Sequence, residues 1–275
     1  MRTSLFGRLQ FVSIIVVLSL PLFLAAGRPT YAEEYSQNQI RTDDVNTTTL
    51  PLSMGSTPSV GEIFLKTRDV ALQQNVDCTL ENCIALTFDD GPNQQVTPQV
   101  LDLLKQYDAR ASFFVIGNRV TTHPDIIRRI NKEGHDLGNH TWSHPFLNKI
   151  APDQIIQEFN ATQQVIAQTG VSAPILFRPP YGIRTPEALA KIPAPFILWN
   201  VDPQDWSKKD AQALTQHVLT ASRRGSVVVM HDTSATTVEA LKSILPELKK
   251  SYKLVTIRDM FDINAESRGQ YFGLQ

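Results

Sequence analysis

Cysteine is almost absent: Cys78 and Cys83 are the only two in 275 residues. A structural zinc site normally takes four protein ligands, so the pair is set aside as a metal site and read as a local disulfide of an oxidising compartment. Charge imbalance is absent as well. The formal net charge is -1 and the pI about 6.6, which leaves no basic field to draw in a nucleic acid. No internal repeat is visible. The apolar stretch near the N-terminus, residues 11–26, has 16 residues, short of the roughly 20 that cross a bilayer.

That stretch has a different use. Arg2 and Arg8 precede it, and Gly27, Pro29 and Thr30 lead to Tyr31-Ala32 before Glu33-Glu34. A positive start, an apolar middle and a small residue at the cut describe a secretory signal over residues 1–32. An uncleaved anchor, associating the protein with a membrane, is the competing reading. Either way the remainder is exported: periplasmic, cell-wall-associated or secreted. Residues 33–60 are polar and poor in aromatics, with too little apolar surface to offset the entropy of ordering. A flexible linker is expected there. Residues 61–83 then hold a short helix, with Ile63, Phe64, Leu65 and Val70 as its apolar face, followed by the cysteine pair.

From residue 84, strands and helices alternate. Residues 84–88 form a buried-strand run stopped by Gly91-Pro92. Residues 97–107 have helical spacing, 111–116 read as the next strand, and 124–133 as a helix closed by Gly134. A loop follows His135-Asp136-Leu137-Gly138, then a helix over 152–168. Further strands are predicted at 175–177, 196–199, 227–230 and 253–256, with helices at 185–191, 210–222 and 237–249. Such alternation predicts the α/β class with a mostly parallel sheet, which right-handed crossovers can close into a barrel. One catalytic domain is expected over 84–262, with 263–275 as a tail.

Residues able to do chemistry gather at the C-terminal ends of these strands. Asp89-Asp90 ends the first. Adjacent carboxylates on a turn point to different sides, so one can hold a metal while the other handles a proton, although such a pair also caps turns. His140 and His144, four positions apart, are read as one face of a helical turn, close enough to grip one cation. Two nitrogens and one carboxylate oxygen would leave coordination positions open for water and substrate. In Arg178-Pro179-Pro180-Tyr181-Gly182 the prolines stiffen the loop and lack amide donors, leaving the Tyr181 amide to point into a site; an arginine here can equally pair with a surface acid. Trp199 and Trp206 bracket Asp202 and Asp205, which suits a sugar groove, with a core tryptophan beside a capping aspartate as the plainer alternative. The apolar run 227–230 delivers His231 to a strand end, a sound place for a general acid. His123, His135 and His217 lie outside these segments and read as structural or surface residues.

Taken in order, Thr87-Phe88-Asp89-Asp90-Gly91, His140-Thr141-Trp142-Ser143-His144, Arg178-Pro179-Pro180-Tyr181, Asp202-Pro203-Gln204-Asp205-Trp206 and the apolar strand ending in His231-Asp232 resemble the polysaccharide deacetylase family. This is carbohydrate esterase family 4, which shares the NodB homology domain. The resemblance spans residues 84–260. It implies a distorted (β/α)7 barrel with Asp89 as catalytic base, held by Arg178, and with Asp90, His140 and His144 as ligands of one divalent metal. Zinc is the default, and cobalt, nickel and iron stay open. It makes His231 the catalytic histidine, tuned by Asp205, the Tyr181 amide an oxyanion donor, and Trp206 part of the sugar groove. Val229 stands where the family has an apolar residue, commonly leucine, lining the acetyl-methyl pocket. Pro203 and Asp136 are mild departures, in place of a frequent Ser or Thr and a frequent Glu.

The activity so implied is metal-dependent hydrolysis of N-acetyl groups from N-acetylglucosamine-type residues, with release of acetate. The partner would be an acetylated polysaccharide: peptidoglycan, a chitin-like polymer or an exopolysaccharide. The alternatives are an O-acetyl (xylan-type) esterase on the same scaffold and a catalytically inactive glycan-binding protein. Nothing in the sequence specifies an oligomer.

Overall fold

The computed structural model describes residues 76–172 and 174–274; the signal, the linker and the helix expected after residue 60 lie outside the described residues. Eight strands form one sheet. β1 (Cys83–Asp89), β2 (Ala111–Val115), β3 (Asp136–Asn139), β4 (Leu176–Phe177), β5 (Phe196–Ile197) and β6 (Val227–His231) stand in the order β6-β1-β2-β3-β4-β5, every neighbouring pair parallel. β7 (Lys253–Leu254) pairs with the start of β1, and β8 (Gln270–Tyr271) with β5.

The sheet curls until its ends meet. Val201, just past β5, bridges Val228 of β6: its amide donates to the Val227 carbonyl, and the Val229 amide donates to the Val201 carbonyl. Lower on the same seam, Gly273 bridges Ser226. The result is the expected distorted barrel, with eight strands in place of seven, and the segment set aside as a tail supplies β8 and helps to close it.

Helices fill the connections: α1 (Thr97–Gln106), α2 (Gly117–Val120), α3 (Pro124–Lys132), α4 (Pro152–Gln168), α5 (Pro186–Lys191), α6 (Ala211–Ala221), α7 (Ala235–Lys249) and α8 (Ile257–Phe261). Their starts carry capping groups where the sequence allows. Asp210 accepts from the amides of Gln212 and Ala213 ahead of α6, and Thr185 from Ala188 ahead of α5.

Because a strand's side chains alternate in direction, β1 divides its work. Ile84, Leu86 and Phe88 pack outward with Leu101 and Leu104 of α1 and Leu241 and Ile244 of α7. Ala85, Thr87 and Asp89 face inward, and Ala85 joins Phe114, Leu176, Ile197 and Val227 in the interior cluster. Each large apolar side chain so buried contributes about 1.5–3 kcal/mol. The same cluster takes in Cys78 and Cys83, joined as a disulfide, and Ile257 and Met260 of α8. The opposite end of the barrel, where β1, β3, β4 and β6 finish, is the end that carries the polar residues.

β3 differs from the sequence-based expectation, which left this stretch as the approach to a loop. Its residues are buried, yet only Leu137 has a large apolar side chain, so no apolar alternation marks it as a strand. Its polar groups are satisfied from elsewhere. Asp136 accepts from the Ser112 hydroxyl and the Arg258 amide, and Asn139 donates to the Phe159 carbonyl.

Candidate metal centre and active site

The end of β1 turns sharply at Asp90, whose φ is 73°. Asp89 and Asp90 therefore diverge. Asp89 is 3% exposed, with Oδ1 accepting from Arg178 Nη1 at 2.7 Å. The Asp90 carboxylate reaches across the barrel mouth, and its Oδ1 lies 3.5 Å from His140 Nε2 and 3.3 Å from His144 Nε2. After this turn Gly91 packs against Asp232, and a Cβ at Gly91 would overlap that carboxylate.

The two imidazoles converge, though not on a helix. Residues 140–146 are irregular, with Thr141 at φ 68° and His144 at φ 59°, so the expected helical turn is corrected to a loop bent twice through the left-handed region. Local hydrogen bonds replace the helical ones. Thr141 N–H donates to Asn139 Oδ1, His144 N–H to Thr141 Oγ1, and Ser143 gives both its amide and its hydroxyl to Glu158 of α4. Nδ1–H of His140 donates to the Arg178 carbonyl at 2.7 Å, which directs the Nε2 lone pair at Asp90. Burial above all pushes the His140 pKa down to about 3, and burial lowers that of His144 too. Both rings are therefore neutral, as ligation requires.

Asp90, His140 and His144 each offer a ligand atom within 4.8 Å of the others. Asp90 Oδ1 is buried without a hydrogen-bond partner. An orphaned carboxylate oxygen facing two neutral imidazole nitrogens is costly in a low-dielectric setting, and a divalent cation satisfies all three. The donor set therefore fits a metal.

Arg178, wholly buried after β4, joins the two sides of this centre. Besides Asp89, its guanidinium donates to Thr87 Oγ1 and to the carbonyls of Ile197 and Leu198, and it lies 4.1 Å from the Phe114 ring centroid. Three residues on, Tyr181 has φ 58° and ψ 14°, a left-handed conformation costing roughly 1–2 kcal/mol in a residue of this kind.

His231 ends β6. Nδ1–H donates to Asp205 Oδ1 at 2.7 Å, and the His231 amide donates to Oδ2 of the same carboxylate. Thr237 Oγ1 is a third donor. Asp205, not Asp202, is thus the histidine's partner; Asp202 caps the Gln204 amide instead. Burial opposes charge on His231, but the Asp205 hydrogen bond and the negative charges of Asp89, Asp205 and Asp90 outweigh it and raise the pKa to about 9. Val229, buried, shares the inward face of β6 with His231, and Trp206 is 63% exposed on the loop beyond Asp205.

Thr87, Glu158 and Thr237, to which the sequence reading gave no role, hold the site from behind. Only Thr87 left a trace, a hydroxyl at an inward position of an otherwise apolar strand.

A parallel barrel with a two-histidine, one-carboxylate centre at its strand ends, flanked by a held carboxylate and a carboxylate-paired imidazole, has the layout of a metal-dependent hydrolase. Residues 77–193 match the family model described as polysaccharide deacetylase. The chain is 35% identical over 238 residues to the peptidoglycan-N-acetylglucosamine deacetylase PgdA of Listeria monocytogenes, covering 81% of this chain and 51% of that protein. A Bacillus cereus peptidoglycan-N-acetylglucosamine deacetylase is 38% identical over 189 residues, covering 66% of this chain and 88% of its own. The structure of the peptidoglycan deacetylase PdaC from Bacillus subtilis superposes with a TM-score of 0.66 at 37% identity, over 68% of this chain and 93% of that one. The chain belongs to the polysaccharide deacetylase family, whose members are metal-dependent. It spans about half the length of the Listeria relative.

Proposed function

We propose that this protein hydrolyses N-acetyl groups of N-acetylglucosamine-type residues in peptidoglycan, releasing acetate and leaving a free amine on the sugar. The observation that carries this reading is the Asp205–His231 pair. An amine is a poor leaving group unless it is protonated as the C–N bond breaks, and Asp205 keeps a proton on His231 at neutral pH. An ester oxygen needs that proton less, which places O-acetyl xylan second. The named activity of the relatives supports the choice of glycan.

Asp90, His140 and His144 would hold the cation, zinc by default. When bound, it supplies Lewis acidity that lowers the pKa of water and polarises the acetamide carbonyl. Asp89, fixed by Arg178, accepts the proton of the attacking water. The Tyr181 amide donates to the oxygen that becomes negative; one such donor is worth about 3–4 kcal/mol. His231 Nε2–H protonates the sugar nitrogen as its bond to the acetyl carbon breaks, so the products are acetate and the amine. Val229 lines the acetyl-methyl pocket, and Trp206 offers a flat face to a pyranose ring.

The reading includes export, with the signal cleaved after Ala32, residues 33–60 as a linker and the work done at the cell wall. Among the described residues no helix is long and apolar enough to cross a membrane.

The direct test is acetate release from N-acetylglucosamine oligomers and peptidoglycan against acetylated xylan, with zinc added or chelated. Faster zinc-dependent release from xylan would move the assignment to the esterase. The acid role predicts a pH profile. His231 carries its proton below about 9 and loses it above, so kcat/KM declines on the alkaline side. Bound zinc offsets the carboxylate charges and sets that limb somewhat lower. In Asp205→Asn the hydrogen-bonded charge beside the imidazolium is gone, leaving those of Asp89 and Asp90, and the limb moves to lower pH by about 1–3 units. A limb that stays in place means that Asp205 does not tune the acid.

A further inference from the structure

Phe146 takes no part in the chemistry above, yet its surroundings tie it to both halves of the site. It follows His144-Pro145, is 39% exposed and belongs to none of the buried clusters. Its ring is stacked on that of Tyr181, centroids 3.9 Å apart and planes 3° from parallel. Tyr181 in turn meets His144 edge-on at 4.5 Å. The Lys149 ammonium sits 4.5 Å over the Phe146 ring. One column of contacts therefore runs from Lys149 through Phe146 and Tyr181 to a ligand imidazole.

An exposed aromatic beside a glycan site suggests a sugar platform, and stacking on a sugar uses a ring face. Here the faces of Phe146 are taken. Phe146 gives one to Tyr181 and leaves the other under Lys149, and Tyr181 spends a face on Phe146. What the stack can do is hold Tyr181. A bulky residue stays in the left-handed region only when its neighbours over-determine it. The ring contacts on Tyr181 come from the 140–146 loop, while its backbone belongs to the loop after β4.

We propose that Phe146 is a positioning residue that, through Tyr181, fixes the oxyanion-donor amide and steadies the His144 ligand. The amide part rests on the deacetylase reading; the ligand part does not.

The test uses the full chain with Phe146→Ala and Phe146→Trp. In the alanine variant, kcat on N-acetylglucosamine oligomers at saturating zinc falls about 10-fold with KM little changed, the pattern of an interaction made in the transition state. Zinc affinity, measured by competition with a chromophoric chelator, falls roughly 10-fold, in the range seen when support behind a ligand is removed. Tryptophan, which keeps a flat ring, restores both. The thermal midpoint hardly moves, since the residue lies outside the buried clusters. A raised KM at unchanged kcat overturns the proposal and makes Phe146 a sugar contact, and wild-type kcat in the alanine variant overturns it too. Should the unsubstituted chain release no acetate, the deacetylase reading falls on that result alone. The chelator arm then decides for the ligand part, and unchanged zinc affinity sinks it.

Discussion

Asp90→Ala loses zinc and acetate release together, whereas Asp89→Asn loses acetate release and keeps zinc. Two neighbours in sequence separate in this way because the left-handed turn at Asp90 sends them to different partners. Asp90 is the one anionic group of the ligand set. Its removal leaves two neutral imidazoles, which by themselves hold a divalent cation weakly at neutral pH. Asp89 answers to Arg178, and asparagine keeps its shape and can still accept from the guanidinium. The amide cannot take a proton, so turnover falls by about 10²–10⁴, the usual worth of a general base. Metal content per chain after desalting, read beside acetate release, separates the two variants. Substantial turnover in Asp89→Asn would remove the base assignment.

Arg178→Leu destabilises the fold by about 3–5 kcal/mol, the cost of leaving one member of a buried ion pair without its partner. The side chain is wholly buried, and its donors serve Asp89, Thr87, Ile197 and Leu198. Leucine strands all four acceptors, the charged one most expensively. Neutralising that charge recovers part of the loss, so Arg178→Leu with Asp89→Asn is more stable than Arg178→Leu alone. Urea midpoints of the three variants measure this, and an additive double variant would deny the coupling. Zinc affinity changes little in Arg178→Leu, because the bond that orients His140 comes from the backbone carbonyl of residue 178, which any side chain retains.

Much of the barrel was legible wherever burial is apolar. β1, β2 and β6 are predominantly apolar runs because both faces are covered, and α1, α3 and α4 show helical spacing between recognisable stops. β3 was not legible, since Asp136 is buried on hydrogen bonds from Ser112 and Arg258 and Asn139 on one to the Phe159 carbonyl, and local sequence carries no sign of remote partners. β8 escaped for a related reason: two residues pair with β5 only because the curled sheet leaves an edge there.

The candidate groups were picked as a set, and the structure brings Asp89, Asp90, His140, His144, Arg178, Asp205 and His231 to one end of the barrel. The route by which the histidines meet was not. Spacing by four suggested a helix, whereas the chain reaches the same convergence through two left-handed residues pinned by Asn139, Thr141 and Glu158. Tyr181 was picked for its amide, while the company its ring keeps with Phe146 depends on two loops far apart in sequence.

The closure of the sheet on itself bears on how the molecule comes into being. Asp90, His140 and His144 hang from β1 and the exit of β3, strands joined through β2 early in the chain. His231 arrives on β6, whose pairing with β1 spans the whole intervening polypeptide, and such long-range pairings form late. A half-wound chain can already bring the three candidate ligands together while lacking the imidazole proposed to release the amine. Under the proposed function, cutting power is withheld until the ring shuts.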